Sequence, residues 1–254
     1  MKKRISTVAA ALALAGSMML VSTGTVGAAT TIGGPPAGTG ACAVLGPAAK
    51  GAGATAGAIR KFADCEIQRR MTTLTALSTA VNGLRTLNAS HVAALASEIA
   101  GEKSGLATLK AKIDGEASLL GLEADLVRIV TEFRVYVLVV PQVNLTVAAD
   151  VVVAAQSRLA AISTQLAARI AQAKAAGSDT MQAQADLDAM NAAVAAAVKL
   201  ASPVPGQLVP LTAADYNSGT AGPAIVAARA ALVGARDDLR NAAADARACL
   251  QALH

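Results

Sequence analysis

Residues 133–153 read FRVYVLVVPQVNLTVAADVVV, and three structures compete for this apolar stretch: a membrane span, a buried strand, or helix inside a bundle. A bilayer core asks for about 20 predominantly apolar residues. Only fifteen, 135–149, separate Arg134 from Asp150, and Gln142, Asn144 and Thr146 interrupt them. A span is therefore disfavoured. Upstream, Leu119, Leu122, Leu126, Ile129, Phe133 and Tyr136 recur at steps of three and four, and this rhythm runs into the valine-rich segment without a change of period. The spacing predicts helix, with the β-branched composition as the argument for strand. Pro141 lacks an N–H and crowds the turn before it, so the helix is expected to kink or stop there. A helix that is apolar on several sides belongs at the centre of a bundle.

Outward from this stretch the same spacing repeats. A segment over 58–87 carries Leu74, Leu77, Val81 and Leu84. A second is expected to start with Ser90 as its cap and to continue through Val92, Leu95, Ile99, Leu106, Leu109 and Ile113, with only Glu102 interrupting the seam, until Asp114 and Gly115 end it. The third runs from Glu116 to the proline. The fourth carries Leu145, Val152, Leu159, Ile162, Leu166 and Ile170 up to Gly177. A fifth, capped by Ser178 or Asp179, carries Leu187, Met190, Val194 and Val198. SPVPGQLVP at 202–210 breaks the pattern, and Thr212 with Asp215 forms a capping box for one turn. The last segment places Ile225, Ala228, Leu232, Ala235, Leu239, Ala242, Ala246, Cys249 and Leu253 on one seam. The expected fold is all-α: an elongated, coiled-coil-like antiparallel bundle of about six helical segments. Alanine-rich seams bury little apolar area per layer, so length must supply the stability.

The chain opens with Lys2, Lys3 and Arg4, an apolar run from Val8 to Val21, and the small residues Gly27 and Ala28. These are the parts of a secretory signal peptide over 1–28, cleaved after Ala28. No cysteine adjoins that cut to carry a lipid. Loss of the three cations leaves 19 basic against 17 acidic side chains, so the mature charge is +2 where the whole chain has +5. From 29 to 57 the composition is Gly, Ala and Pro without an apolar face, which reads as a flexible lead-in. The helical domain is then 58–254.

Near-neutral charge and four aromatics, Phe62, Phe133, Tyr136 and Tyr216, supply neither phosphate-neutralising clusters nor stacking platforms. Nucleic acid is not an expected partner. Cys42, Cys65 and Cys249 in an oxidising compartment make one disulfide and leave one thiol. Cys65 with Cys249 is the preferred pair, because it would tie the first helix to the last; Cys42 with Cys65 is its rival.

Catalytic chemistry is hard to place. His91 lies beside the proposed cap and His254 is the final residue. GEKSG at 101–105 is not GxSxG and falls in a helical pattern. GAGATAG at 51–57 misses the dinucleotide fingerprint by one residue and follows no strand. The carboxylate pairs Asp186/Asp188 and Asp237/Asp238 have spacings that point in different directions on a helix, so neither gathers a metal site. Lys103, Lys110, Lys112 and Arg128 read as the wet face of a bundle. Catalytic, cofactor-binding and metal-ligating residues are accordingly expected to be none, and no cofactor is implied.

The segment RVYVLVVPQVNLTVAAD at 134–150, with LNASHVAALASEIAGEKSGLATLKAKID at 87–114 before it, resembles a group of secreted helical proteins common in actinobacteria and some uncultivated bacterial lineages. The resemblance covers most of the chain from Cys65 onward. It implies an all-helical fold at the bacterial cell envelope and carries over no catalytic residue. The leading expectation is a secreted, non-enzymatic, envelope-associated scaffold or protein-interaction module whose partner is an envelope protein or cell-wall component. The alternatives are a membrane-active protein that exposes 133–153 to lipid without being a transmembrane protein, and a small-ligand carrier.

Overall fold

A computed structural model describes residues 40–50, 53–84 and 87–253. The expected signal peptide, the first part of the lead-in and His254 lie outside the described residues. The chain runs α1 (Gly40–Lys50), α2 (Ala56–Gly83), α3 (Ala89–Gly115), α4 (Leu119–Thr131), a π-helical turn (Val135–Val139), α5 (Val140–Ala175), α6 (Met181–Ala201), α7 (Val204–Leu208), α8 (Ala213–Asn217) and α9 (Ala221–Gln251). Among the described residues there is no strand, and the fold is an all-α helical bundle.

Helix ends follow local chemistry. Thr55 Oγ1 accepts from the Ala58 N–H at 3.2 Å, and Ser118 Oγ from Gly121 at 3.0 Å. These caps satisfy donors that the first turn leaves without partners. The cap of α3 is Asn88, whose Oδ1 accepts from the Ser90 N–H at 2.9 Å, and not Ser90 itself. The third segment starts at Leu119 and not at Glu116, because Ser118 holds an extended backbone and caps it. The capping box forms as expected: the Thr212 N–H donates to Asp215 Oδ2 at 2.8 Å while Thr212 Oγ1 accepts from the Asp215 N–H. Gly177, at φ +83°, closes α5: the Ser178 N–H reaches Ala173 O and the Gly177 N–H reaches Lys174 O, both at 3.0 Å.

The chain forms two compact units, divided inside α5 between Ala148 and Ala149 and inside α9 between Arg229 and Ala230. The first comprises 40–148 with Val204–Arg229, and α2 is its hub, packing on α1, α3, α4 and the π turn. Ile59, Ala63, Ile67, Leu74, Leu77 and Val81 of α2 are buried, as are Leu95, Ile99, Leu106, Leu109 and Ile113 of α3. Arg60 of α2 reaches the C-terminus of α3, donating from Nε to Ile113 O at 3.2 Å and from Nη2 to Glu116 O.

Four expectations change here. Part of the lead-in, 40–50, is helical: Cys42 and Ala49 are buried, and the Lys50 ammonium lies 4.9 Å from the Phe62 ring centroid, so tertiary contact supplies the order that composition does not. The disulfide joins Cys42 to Cys65, with Cα atoms 5.6 Å apart. The preferred Cys65–Cys249 pair is thereby overturned, because α1 docks on α2 while Cys249, a free buried thiol, belongs to the other unit. The helix break falls at 132–134, ahead of Pro141. After the π turn, where the Val140 N–H bonds to Val135 O, Pro141 occupies the first turn of α5, the part of a helix in which a missing N–H costs least. Finally, Lys112 and Arg128 do more than solvate a surface: both donate to Asp125, which is wholly buried, at 2.6 and 3.3 Å.

The second unit comprises Ala149–Pro203 with 230–253. Its buried positions are Leu159, Ile162, Leu166 and Ile170 of α5, Ala183, Leu187, Met190, Val194, Ala197 and Ala201 of α6, and Ala235, Leu239, Ala242, Ala246 and Cys249 of α9. The last two sets follow alternating steps of four and three, the spacing that keeps one face of a helix against its neighbours.

Candidate functional site

The break before the π turn positions the most polar interior of the first unit. α4 ends at Thr131, and Asn217 of α8 closes the gap: its Nδ2 donates to Thr131 O at 2.8 Å while its Oδ1 accepts from Arg134 Nε at 2.8 Å. The Arg134 guanidinium also stacks 5.1 Å from the Tyr216 ring centroid. One turn into the apolar stretch, Gln142 is fully buried, and its Nε2 donates to Leu208 O at 2.9 Å and to Leu211 O at 2.8 Å. These two side-chain clamps fix the strap that runs from α7 to α8.

Between the strap, the π turn and α3 lies a cleft of about 260 Å³ lined by Ala94, Glu98, Glu102, Leu138 and 209–213. Its walls are mainly apolar, and its ionisable lining groups are Glu98 and Glu102, one helical turn apart on α3. Residues four apart share a helix face, which explains why both carboxylates point to the same place. Each keeps one buried oxygen, Oε2, without a hydrogen-bond partner.

Burial raises Glu98 from the usual 4.5 to about 8, the negative charge of Glu102 adds to the rise, and a hydrogen bond from Gln142 opposes it. Burial raises Glu102 to about 7, against the opposing pull of the Arg70 cation. Arg70 is itself buried and is committed elsewhere: it donates to Glu66 Oε2 at 2.5 Å and lies 5.4 Å from the Tyr136 ring centroid. Near neutral pH Glu98 is therefore mainly protonated and Glu102 shares its site between the two forms.

The groups singled out in the sequence lie elsewhere. His91 is in the first turn of α3. Asp186 and Asp188 accept from Gln182 and Gln184 at 2.8 and 2.9 Å along α6, and Asp237 pairs with Arg240 at 2.9 Å. The described residues contain no group of three or more His, Cys, Asp or Glu side chains placed to hold a metal ion. Glu98 and Gln142 went unnoticed as site residues. A signal for them existed: Glu102 sits on the α3 seam between Ile99 and Leu106, Glu98 is four residues before it, and Gln142, Thr146 and Asp150 recur every four residues inside the apolar stretch, all three buried.

No family model matches the chain, and neither a curated protein nor a solved structure matches it. What the site can do follows from its own chemistry.

Proposed function

We propose that the chain is a secreted, cell-envelope-associated helical interaction module that works through an exposed apolar helix face and not through catalysis. The observation that supports this reading is α4. Leu122, Asp125 and Ile129 line its buried side, yet Leu119, Leu120, Val127 and Val130 are 48, 78, 57 and 45% exposed. At 3.6 residues per turn these four fall within about 100° of the helix circumference, one contiguous stripe. Glu123 is the one charged residue among them. An apolar stripe of this kind is what an amphipathic partner helix covers. The Cys42–Cys65 disulfide is compatible with an extracytoplasmic compartment, where such bonds persist.

The test is a photo-crosslinking residue at Leu120 in the native cell, followed by mass spectrometry. The expected result is a discrete adduct with an envelope protein, lost when Leu119→Lys/Val127→Lys is combined with the crosslinking residue at 120. No adduct above background, with the variant and parent equally helical by circular dichroism, would overturn the reading.

Contact with lipid is the second reading. A window within Leu119–Ala175 reaches a mean hydropathy of 1.9, long and apolar enough to cross a bilayer, but 56% of it is buried within the protein. Release of dye from vesicles on mixing would favour this reading over the first.

A further inference from the structure

We propose that the strap over the cleft, residues 209–212, is a pH-operated flap. Glu98 competes with Leu208 O and Leu211 O for the Gln142 amide, and ionisation of Glu98 draws the amide away and frees the strap. The device lies apart from the α4 surface and does not depend on it.

Gln142 is wholly buried, and its side chain is shared. A terminal amide has two N–H donors, whereas three acceptors lie in reach of Nε2: Leu208 O at 2.9 Å, Leu211 O at 2.8 Å and the Glu98 carboxyl. Oε1 has no partner, so no bond on that side fixes the amide. Which acceptors win depends on charge. A neutral carboxyl is a poor rival for two backbone carbonyls, but a carboxylate accepts a hydrogen bond about twice as strong as a neutral one. The strap carbonyls are therefore held while Glu98 keeps its proton and lose their donor when it does not.

The surroundings make Glu98, and not Glu102, the operator. Glu102 faces the Arg70 cation of α2, whose buried Nε has no partner, so a charged Glu102 has a cation to turn to. Glu98 faces the negative charge of Glu102, and the group that favours its anion is Gln142. The remaining charged or titratable groups around the cleft are Tyr136 of the π turn and Asp215 of α8. The Thr212 hydroxyl and N–H hold the Asp215 carboxyl below the usual carboxylate range at the rim.

Burial and the Glu102 charge place the changeover at about 8, so the strap is closed at about pH 6 and released by about pH 9. Movement is local. The far end of the strap stays pinned, because Thr212 is locked to Asp215 and Asn217 Nδ2 holds Thr131 O at 2.8 Å. Val209, Pro210 and Leu211 form the strap side of the cleft, and their displacement uncovers Leu138, which is 2% exposed in the closed form.

The experiment is pulse-labelling amide exchange of the full chain at about pH 6 and about pH 9, with rates divided by the intrinsic rate at each pH. It is read at the Val209 and Leu211 amides, which donate to Pro205 O at 2.9 Å and Leu208 O at 3.1 Å. The parent should lose protection there at least about tenfold between the two pH values, with its midpoint at about 8, while the Leu187 and Val194 amides of α6 stay protected. Glu98→Gln, which keeps the shape without the charge, should stay protected throughout, and Gln142→Leu should be unprotected at both. The pH series on the parent needs no variant and decides the matter even where Gln142→Leu impairs folding. Constant protection of the parent strap, an equal loss in α6, the same loss in folded Glu98→Gln, or pH-dependent protection in folded Gln142→Leu would each overturn the proposal.

Discussion

The two units solve the same packing problem with different materials. The second closes α5, α6 and α9 on a seam in which alanine alternates with Leu, Met and Val, and among the described residues its one buried charged side chain is Asp150. The first buries Arg70, Asp125, Gln142 and Thr146 among its Leu and Ile side chains, closes a break in the chain with Asn217, and is stapled by Cys42–Cys65. Small side chains allow close approach but give little apolar area per layer, so each large residue in the second unit carries a large share of the burial. Gly234 illustrates the closeness: a Cβ there would stand 3.1 Å from Leu200 Cδ1. Polar interiors bury groups that must each find a partner. The first unit is therefore the place where partners run short, and the cleft carboxylates are among the groups left short.

This contrast predicts where substitutions cost most. Leu187, buried on the α6 seam between Ala183 and Met190, has alanine neighbours that cannot fill the space it leaves. Leu187→Ala should lower unfolding stability by about 3–4 kcal/mol, read from urea melts, and a loss under 1 kcal/mol would break the claim that few large residues hold this unit. The corresponding anchor of the first unit is covalent. The Cys42–Cys65 loop spans 23 residues, and Cys65→Ala should cost about 3 kcal/mol by freeing the unfolded chain. The loss should appear as increased amide exchange in α1 and α2 and not in α6.

The second unit was almost wholly legible in the sequence. The seams through Leu159, Leu187 and Leu239 are the ones found buried, with Val198, Leu232 and Leu253 only half-buried, because a helix with an unbroken three-four rhythm leaves one choice of inward face. The first unit was legible in its α2 and α3 seams and in the Thr212–Asp215 box, but not where tertiary contact overrode local pattern. The rhythm through Ile129, Phe133 and Tyr136 spans a true break because each side is helical in roughly the same phase; Phe133 leaves the helix and places its ring against Gly105, where a Cβ would sit 2.5 Å from Cε1. Glycine and alanine around Cys42 carry no apolar pattern, so the helix over 40–50 was hidden until its partner α2 was in place. Glu102 was visible as an interruption, yet interruption alone does not tell a wet face from a buried acid.

Gln142 sharpens the comparison next. Its amide is the only side-chain donor bonded to Leu208 O and Leu211 O among the described residues. Gln142→Leu conserves bulk but leaves both carbonyls without that donor, and should cost about 2 kcal/mol. Measured by thermal unfolding, it should also loosen the strap, seen as faster exchange of the 208–213 amides. A neutral or stabilising result would mean that the strap reaches water and that the cleft is not closed from that side.

The smallest effect is the most diagnostic, because it depends on pH. Glu98 binds its proton more tightly in the folded chain, at about 8, than at the usual 4.5. Its contribution to stability is fully present below pH 4.5, falls as pH rises through that window, and is lost above about 8. Glu102, raised to about 7, acts in the same direction. Glu98→Gln removes the ionisation while keeping the shape, so parent and variant should melt together near pH 4.5 and diverge as pH rises. Because Glu98 is only partly covered, the gain in the variant at pH 8.5 should be about 1 kcal/mol and not the full value that such a displacement would imply. If the parent and Glu98→Gln melting curves stay parallel from pH 4.5 to 8.5, the carboxylate is solvated, and the contrast between a polar interior short of partners and a plain alanine seam fails at its most chemical point.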